Sequence, residues 1–416
     1  MVEDGRMRIA MISEHASPLA ALGGPDAGGQ NLHVAELSAA LATAGHDVRV
    51  YTRRDSRKLP DIVEYGPGVS VVHVPAGPAR PVAKDGLLPY MGTFGRWLAE
   101  QWSAGVWAPD VLHAHFWMSG LAALTARAQF PVPVVQTYHA LGSVKRRYQG
   151  AQDTSPAQRI GYERILGRQV DQVIAQCSDE LAELVALGVP RRSIRLVPSG
   201  VDASRFTPAG PAALPPGTNR ILSVGRLVER KGYADLIEAM RLLPDAEAVI
   251  VGGPPVTELA DDPVARHLLS LAQERGVADR VRLTGAVPRE EMPQWYRSAA
   301  LVACPAWYEP FGLTPLEAMA CGVPVVAYAV GGFIDTVVDN VTGHLVPPRD
   351  WRALAKTLRT LLSDPVRRLE FGAAAVDRAA ECYSWARTAD QLLAVYRRLA
   401  NVQEPAEATA EVVTTV

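Results

Sequence analysis

Short apolar runs alternate along this chain with longer segments in which apolar residues recur at the spacing of a helix. The runs that predict strands lie at 8–13, 47–52, 69–74, 111–114, 132–137, 172–175, 194–197, 220–225, 248–253, 281–285, 301–306 and 323–329. The segments that predict helices lie at 31–44, 120–129, 159–168, 178–187 and 383–400. Runs this short and apolar are typical of strands buried on both faces of a parallel sheet. The pattern therefore predicts an α/β protein built from repeated βαβ units.

The length of the chain and one break in this rhythm predict two domains. A chain of 416 residues is too long for one ordinary core, and the Pro- and Gly-rich stretch 206–218 is the best linker. We expect a Rossmann-like domain over residues 1–204 that is joined by the C-terminal helix 384–400. A second Rossmann-like domain would span 205–383, followed by a disordered tail over 401–416. Two doubly wound sheets would then face one cleft, where ligands bind at the carboxyl ends of the strands.

Composition and charge narrow the classes of function. Hydrophobic residues make up 48% and charged residues 21%, as in a globular protein, and the net charge of −2 argues against a general nucleic-acid binder. No apolar run reaches the length of a membrane span, and the opening residues lack the pattern of a signal peptide, so we expect a cytoplasmic protein. The cysteines show no metal-binding spacing, which predicts reduced core side chains. They are Cys177, Cys304, Cys321 and Cys382.

The stretch from 308 to 327 reads as a loop, a short helix, a turn and a buried strand. Thr314 has the residue type of a helix N-cap, and Pro315 suits the first helical position. Glu317 follows three residues after Thr314, as in a capping box. Gly322 would end the helix in the left-handed conformation. The simplest role for Glu317 is therefore to cap this helix.

Two carboxylates eight residues apart give this stretch a second interpretation. Glu309 precedes the helix and Glu317 lies in its first turn, although Glu309 alone could be a solvated loop carboxylate. The backbone N–H groups of Phe311, Gly312 and Leu313 would point ahead of a helix N-terminus, where anions bind. The stretch resembles the E-x7-E element of retaining glycosyltransferases with the GT-B fold, a family that includes sucrose-phosphate synthases and the mycothiol glycosyltransferase. The resemblance implies that Glu309 lies beside the donor sugar and Glu317 binds the nucleotide ribose.

Two loops that follow predicted strands are candidates for binding a diphosphate. Gly28 and Gly29 open the first long helix, although a glycine pair alone could be a connecting loop. Arg226 and Lys231 follow the first strand of the second domain, where most such cations would be solvated. The family resemblance covers both loops and implies that Gly29, Arg226 and Lys231 contact the diphosphate of the donor. It also implies that Asn31 lies on the acceptor side.

A histidine at the end of a strand is the remaining catalytic candidate. His139 follows a buried run, and a lone histidine in such a place is more often structural. The resemblance implies that His139 contacts the donor sugar. His113 and His115 alternate at another strand end, but no third metal ligand accompanies them. No Asp-x-Asp motif follows a strand, so we expect the cations of the second domain to replace a metal, with no cofactor.

The acceptor side is defined by basic residues of the first domain. Lys84, Lys145 and Arg159 lie in its predicted loops and at a helix start. The resemblance implies that Lys84 and Arg159 hold an acceptor phosphate, as in the mycothiol glycosyltransferases. The alternative is that Arg159 pairs with Glu163 one helical turn later, while Lys84 is solvated.

Two positions of this acceptor pocket depart from the family pattern. Phe116 stands where a Tyr is usual and Ala140 where a Thr is usual, so both lose a hydroxyl. The resemblance then implies a retaining, metal-independent transferase that moves a hexosyl group from a nucleotide sugar, with UDP favoured, to a small sugar or cyclitol, with a phosphate possible. The alternatives are a nucleotide-sugar epimerase of the same fold or a non-catalytic sugar-nucleotide-binding protein. We expect a monomer or homodimer.

Overall fold

The structure is a computed structural model that describes residues 5–20, 28–215 and 219–401. Its strands are β1 (Arg8–Ile12), β2 (Asp47–Arg53), β3 (Ile62–Glu64), β4 (Val69–Val74), β5 (Val111–His115), β6 (Val134–Thr137), β7 (Gln172–Ala175), β8 (Ile194–Leu196), β9 (Asn219–Val224), β10 (Ala246–Val251), β11 (Val281–Gly285), β12 (Leu301–Cys304), β13 (Val325–Tyr328) and β14 (Gly343–Val346). Its α-helices are α1 (Gly29–Thr43), α2 (Met91–Ser103), α3 (Trp117–Arg127), α4 (Gly142–Gln149), α5 (Arg159–Gln169), α6 (Ser178–Ala186), α7 (Tyr233–Met240), α8 (Pro263–Glu274), α9 (Met292–Arg297), α10 (Leu313–Ala320), α11 (Gly332–Thr336), α12 (Trp351–Leu362), α13 (Pro365–Cys382) and α14 (Trp385–Leu399).

The strands form two separate sheets, as the pattern predicts. The first has eight strands in the order β3-β4-β2-β1-β5-β6-β7-β8, and the second has six in the order β11-β10-β9-β12-β13-β14. All neighbouring strands pair in parallel except β3, which runs antiparallel to β4. In each sheet the order of connection reverses at a central strand, β1 or β9, and such a switch point opens a ligand crevice at the carboxyl edge. The predicted pair of doubly wound α/β sheets is confirmed.

The alternating side chains of β1 show why its sequence is apolar throughout. Ile9 and Met11 pack into a cluster with α1 and α14 on one face of the sheet. Ala10 and Ile12 pack into a second cluster with α2 and α3 on the other face. Because both faces are covered by helices, every second residue finds apolar neighbours, and no polar face is needed. The second sheet has one large core of its own.

The last helix, α14, returns to the first sheet after the chain has built the second. Its Trp385, Leu392 and Tyr396 belong to the same cluster as β1 and α1. The backbone N–H of Val201 donates to the carbonyl of Tyr383 at 2.6 Å, so both passages of the chain between the two sheets lie side by side. This packing agrees with the expected helix 384–400, while the precise domain bounds stay a prediction. Most of the expected tail, from 402 onward, lies outside the described residues.

Two strands were missed by the sequence interpretation, and both lie at sheet edges. Ile62–Glu64 is a three-residue strand whose side chains are exposed or half-buried, and Gly343–Val346 begins with glycine and histidine. Edge strands bury less side-chain surface, so their apolar pattern is weak. Most helices of the second half, and α2 and α4 in the first, were not predicted either.

Candidate active site

A cavity of about 650 Å³ lies between the two sheets and is lined by residues of both. The lining comes mainly from connections that follow the carboxyl ends of β1, β4, β5, β6, β9, β11 and β12, the edge at which doubly wound sheets bind their ligands. All the predicted site residues except Gly312 line it: Gly29, Asn31, Lys84, Phe116, His139, Ala140, Lys145, Arg159, Arg226, Lys231, Glu309, Phe311, Leu313 and Glu317. Positions far apart in the sequence are thus brought together around one space.

The helix α10 begins differently from its sequence prediction. Its N-cap is Gly312, with φ of +73°, and Thr314 lies inside the first turn. The capping-box role of Glu317 is therefore wrong. Its carboxylate instead accepts hydrogen bonds from Arg289 Nη1 at 2.6 Å and from the hydroxyl of Tyr296 at 2.7 Å. Glu317 is held by side chains from the β11–β12 connection, while the left-handed Gly322 (φ +73°) confirms the predicted turn.

Glu309 is buried and ionised against a cation of the other predicted loop. Lys231 Nζ lies 2.6 Å from Glu309 Oε2, and both residues line the cavity. Burial alone would raise the pKa of Glu309, but the charges of Lys231 and Arg230 outweigh it and hold the pKa below its ordinary value. Arg230 also donates to the carbonyl of Tyr308 at 3.1 Å. The loop after β9 therefore fixes the loop that carries Glu309.

The two glycine-bearing loops meet across the cleft. Gly225 has φ of +146°, which a side chain disfavours, and it turns the chain so that Arg226 faces the start of α1. A Cβ on Gly28 would lie 3.9 Å from Arg226 Nε, and one on Gly29 would lie 3.2 Å from the ring of Phe311. Arg226, Lys231 and the helix N-terminus thus surround one region of the cavity, where an anion is attracted by all three.

His139 is held in a strained backbone conformation, with φ of +62°. Its Nε2 lies 2.8 Å from Nδ1 of His115, and its ring packs 5.2 Å from that of Phe311 across the cleft. Burial lowers the pKa of His139 well below its ordinary value, so the ring is neutral at physiological pH. Non-glycine residues with positive φ persist where the surrounding structure holds them, and they cluster at functional sites.

On the acceptor side, Arg159 forms an ion pair inside the protein. Arg159 Nε lies 2.8 Å from Glu163 Oε1, and both side chains are buried. The predicted alternative, an ion pair within one helix turn, is therefore present, although Arg159 still lines the cavity. Arg159 also donates to the carbonyl of Ala140 and lies over the ring of Phe116 at 5.0 Å. Phe116 itself has φ of +84° and lies 5.8 Å from Lys84 Nζ.

Two further acceptor-side residues have structural partners. Lys145 Nζ lies 3.0 Å from Asp153 Oδ1 and also donates to the hydroxyl of Ser155 at 2.9 Å. Asn31 is buried, and its Oδ1 accepts from the N–H of Gly28 at 3.0 Å. Asn31 therefore fixes the loop that opens α1. Its predicted contact with the acceptor stays a prediction, as does that of Lys145.

The sequence of the chain matches known glycosyltransferases over most of its length. Residues 209–378 match the family described as glycosyl transferases group 1, and residues 27–205 match glycosyltransferase family 4. The D-inositol 3-phosphate glycosyltransferase of Xylanimonas cellulosilytica is 38% identical over 407 residues, covering 94% of this chain and 96% of that protein. The chain belongs to the group 1 glycosyl transferases.

Solved structures place this group 1 glycosyltransferase in the GT-B fold. The sucrose-phosphate synthase from Thermosynechococcus elongatus superposes with a TM-score of 0.87 at 33% identity, covering 96% of this chain and all (100%) of that one. Another curated relative, D-inositol 3-phosphate glycosyltransferase 1 of Catenulispora acidiphila, is 39% identical over 415 residues and covers 94% of this chain and 95% of its own length. Both the family and the fold implied by the sequence resemblance are thereby confirmed.

The structure adds cavity residues of this glycosyltransferase that the sequence interpretation did not select. Arg289 lines the cavity and holds Glu317. His15 also lines it, with Nδ1 2.7 Å from a carboxylate oxygen of the buried Glu14. The adjacent Glu and His directly after a strand could have signalled this pair, whereas Arg289 has no local signature. Its only clue is its place after the carboxyl end of β11.

Two contacts join the two lobes of the glycosyltransferase, each lobe being one sheet with its helices, and the first of them borders the cavity. The rings of Tyr148 and Tyr308 stack at 5.6 Å, one from each lobe. Asp335 of α11 accepts hydrogen bonds from the N–H and hydroxyl of Ser178 at the start of α6, at 2.5 and 2.7 Å.

Within 5–20, 28–215 and 219–401, no cluster of three or more His, Cys, Asp or Glu could hold a metal ion. None of the helices in these ranges combines the length and the apolar character that a membrane span requires.

Proposed function

We propose that this glycosyltransferase moves a hexosyl group from a nucleotide-diphosphate sugar, with UDP favoured, to a hydroxyl of a small, phosphorylated sugar or cyclitol, with retention of configuration. The observation that carries the proposal is the meeting of Arg226, Lys231 and the start of α1 around one region of the cavity. These groups supply two cations and a helix N-terminus for a diphosphate leaving group. Their attraction grows as negative charge builds on that group in the transition state.

Two carboxylates, Glu309 and Glu317, would bind the hexose and the ribose of the donor. Glu309 lies beside Lys231, so it would accept hydrogen bonds from hydroxyls of the hexose next to the diphosphate. Glu317 would take the ribose hydroxyls, with Arg289 and Tyr296 fixing its orientation. A carboxylate tied to a lysine is a weak nucleophile, which favours attack by the acceptor on the same face as the leaving group. The leaving phosphate would then receive the proton of the acceptor hydroxyl.

The acceptor assignment draws on the relatives and on the basic side of the cavity. The curated relatives are D-inositol 3-phosphate glycosyltransferases, and the solved relative is a sucrose-phosphate synthase. Those names describe a phosphorylated acceptor and a phosphorylated product. Lys84 and Arg159 both lie near the ring of Phe116, at 5.8 and 5.0 Å from its centroid. A phosphate bound there would gain charge-assisted hydrogen bonds from both side chains.

A donor-by-acceptor screen with mass detection tests this proposal. UDP-, ADP- and GDP-hexoses are combined with inositol phosphates, hexose phosphates and their unphosphorylated parents, and the anomeric configuration of the product is read by NMR. We expect a phosphorylated disaccharide or pseudodisaccharide with the donor's anomeric configuration. A control without acceptor detects an epimerase, which would return an isomerised nucleotide sugar. A product with the inverted anomeric configuration contradicts the retaining mechanism. A product formed only from unphosphorylated acceptors contradicts the proposed phosphorylated acceptor.

We also propose that transfer needs no metal ion, because Arg226 and Lys231 occupy the place where other nucleotide-sugar enzymes use one. The measurement is the transfer rate after exhaustive treatment with EDTA, with and without added magnesium or manganese. We expect the same rate in all conditions. Loss of activity in EDTA that returns with either metal contradicts the proposal.

A further inference from the structure

Four buried histidines meet beneath the cavity. His33 comes from α1, His113 and His115 from β5, and His139 from the loop after β6; their exposed fractions are 3%, 0%, 0% and 3%. Burial lowers the pKa of His33 and His113 to about 3, and it holds the pKa of His115 and His139 well below the ordinary value. Each ring is therefore neutral and carries one N–H and one lone pair, so its tautomer decides what it can bind.

The contact between His115 and His139 allows two arrangements of protons. His115 Nδ1 and His139 Nε2 are 2.8 Å apart, so one of these nitrogens donates and the other accepts. If His115 donates, its Nε2 keeps a lone pair and His139 carries its proton on Nδ1. If His139 donates, its Nδ1 keeps a lone pair and His115 carries an N–H on Nε2.

The outer nitrogens distinguish these arrangements. Across the described part of the chain, His115 Nε2 and His139 Nδ1 are both buried without a hydrogen-bond partner. His139 lines the cavity, whereas His115 does not. Either arrangement therefore leaves one buried N–H without a partner in the described protein, and orphaned N–H groups are rarer in proteins than orphaned acceptors. In the second arrangement this N–H belongs to His115, which does not line the cavity. In the first it belongs to His139, whose ring borders the cavity, so that a hydroxyl of a bound ligand can accept its proton.

The neighbouring side chains support the same arrangement. His113 uses both nitrogens, with the hydroxyl of Tyr396 at 2.5 Å and that of Thr137 at 2.8 Å, so its ring nitrogens are already engaged and do not serve His115. A side-chain hydrogen bond with Gln176 acts to raise the pKa of His139, as an amide oxygen that accepts from the ring would. In the second arrangement the single N–H of His139 is already donated to His115, so an acceptor beside the ring favours the first.

We propose that His115 is a positioning residue that donates from Nδ1 to His139 Nε2 and thereby fixes the proton of His139 on Nδ1. His139 then serves the cavity as a neutral hydrogen-bond donor and has no lone pair there with which to act as a general base. This inference rests on the proposed function only in that His139 contacts the donor sugar. The strained backbone of His139 fixes the Cα, and His115 fixes the ring.

The direct test is the ring ¹⁵N spectrum of the full-length protein labelled at histidine. It needs neither donor nor acceptor, so its outcome is independent of the proposed function. Signals of His139 are assigned by their loss in His139→Asn. We expect a protonated Nδ1 and an unprotonated Nε2 in the free protein. A proton on Nε2 of His139, or a ring exchanging between both tautomers, overturns the proposal.

Two variants of His115 test the consequence for transfer. His115→Asn keeps an N–H donor, and we expect a rate within roughly threefold of wild type. In His115→Asp an ionised carboxylate only accepts, so it draws the proton of His139 to Nε2 and leaves a lone pair on Nδ1. We expect its rate at pH 8 to fall on the order of a hundredfold.

The pH profile and the ring ¹⁵N spectrum of His115→Asp together separate this effect from a packing defect. As the pH falls, the pair formed by Asp at 115 and His139 takes up a proton, and Nδ1 regains its hydrogen, so the rate of His115→Asp should rise towards that of wild type. The other titratable groups that act on His139 are His15, His33 and His113, and all three are unchanged in the variant. A His115→Asp profile parallel to that of wild type overturns the positioning role. A ring ¹⁵N spectrum of this variant at pH 8 that still shows the proton of His139 on Nδ1 also overturns it, because a buried carboxylate alone would destabilise the fold as the pH rises.

Discussion

The donor side and the acceptor side of the cavity both pair cations with carboxylates, but they expose different partners. On the donor side, Lys231 and Glu309 are 2.6 Å apart, and Arg289 and Glu317 are also 2.6 Å apart. All four of these residues line the cavity. A ligand can therefore contact either charge of each pair.

On the acceptor side only the cations face the cavity. Arg159 and Lys145 line it, whereas their partners Glu163 and Asp153 do not. The Glu163 side chain is fully buried, and it also accepts from the N–H of Gly142. These carboxylates lie behind the cations and hold them in place.

This difference predicts how the donor side and the acceptor side respond when a ligand binds. Donor-side pairs can exchange partners when a diphosphate and sugar hydroxyls arrive, so their charges are available to the reaction. On the acceptor side the buried carboxylates offset part of the positive charge and fix its position before a ligand binds. An acceptor anion would then meet cations whose positions are set in advance.

Removing a donor-side cation should have the largest effect on activity. We expect Arg226→Ala and Lys231→Ala each to lower the transfer rate on the order of 10²- to 10³-fold, because each removes attraction for charge that builds on the leaving group. The thermal midpoint should change little. Arg241→Ala removes an exposed arginine of the same lobe and serves as the control. Near-normal rates in both cavity variants would contradict the donor-side assignment.

Removing the carboxylate behind Arg159 should mainly affect stability. Glu163→Gln leaves a buried guanidinium without its counter-charge, which we expect to lower the free energy of unfolding by about 3 kcal/mol. Urea denaturation measures it. Glu183→Gln breaks the more exposed pair with Arg147 and should cost less than about 1 kcal/mol. Equal effects of the two substitutions would show that Glu163 does not act as the support of Arg159.

Glu180 is a buried carboxylate of the first lobe that accepts from a backbone N–H, and its contribution to the free energy of unfolding depends on pH. Burial raises the pKa of Glu180 from 4.5 to about 7, while the N–H of Gln176 donates to its Oε2. Between these values the folded state binds the proton more tightly than the unfolded state, so stability falls as the pH rises through this window. Wild type should lose up to about 3 kcal/mol relative to Glu180→Gln. Parallel stability curves between pH 4.5 and 7 would contradict the shift.

The smallest change is expected for Lys84, a half-buried lysine on the acceptor side of the cavity. Lys84→Ala removes a charge-assisted hydrogen bond of about 1.5–3 kcal/mol, so the KM of a phosphorylated acceptor should rise roughly tenfold or more. The KM of the donor should stay the same, as should both values in Lys58→Ala, an exposed lysine of the same lobe. If wild type prefers the unphosphorylated sugar, the cavity serves a neutral acceptor, and the transferase assignment is unaffected.

The sequence by itself determined the α/β class, the two series of strands and the loops that carry the site. Periodicity reports local burial, and a central parallel strand is apolar on both faces, so β1 or β13 is visible in the sequence alone. Arg226, His139 and Glu309 were recognised through the family resemblance, supported by their places after predicted strands, whose ends converge at one edge of a parallel sheet. The edge strands β3 and β14 were not predicted, because they bury too little side-chain surface to show an apolar pattern.

Only the tertiary structure decided what each charge is paired with. Glu317 had the spacing of a helix cap, yet its partners are Arg289 and Tyr296, which lie 28 and 21 residues away. Local spacing can identify a helical pair such as Arg159 and Glu163, but it carries no information on whether that pair is buried. Which nitrogen of His139 bears the proton depends in turn on a neighbouring strand. Pairing, burial and tautomer are properties of side chains that meet in space, and folding alone brings them together.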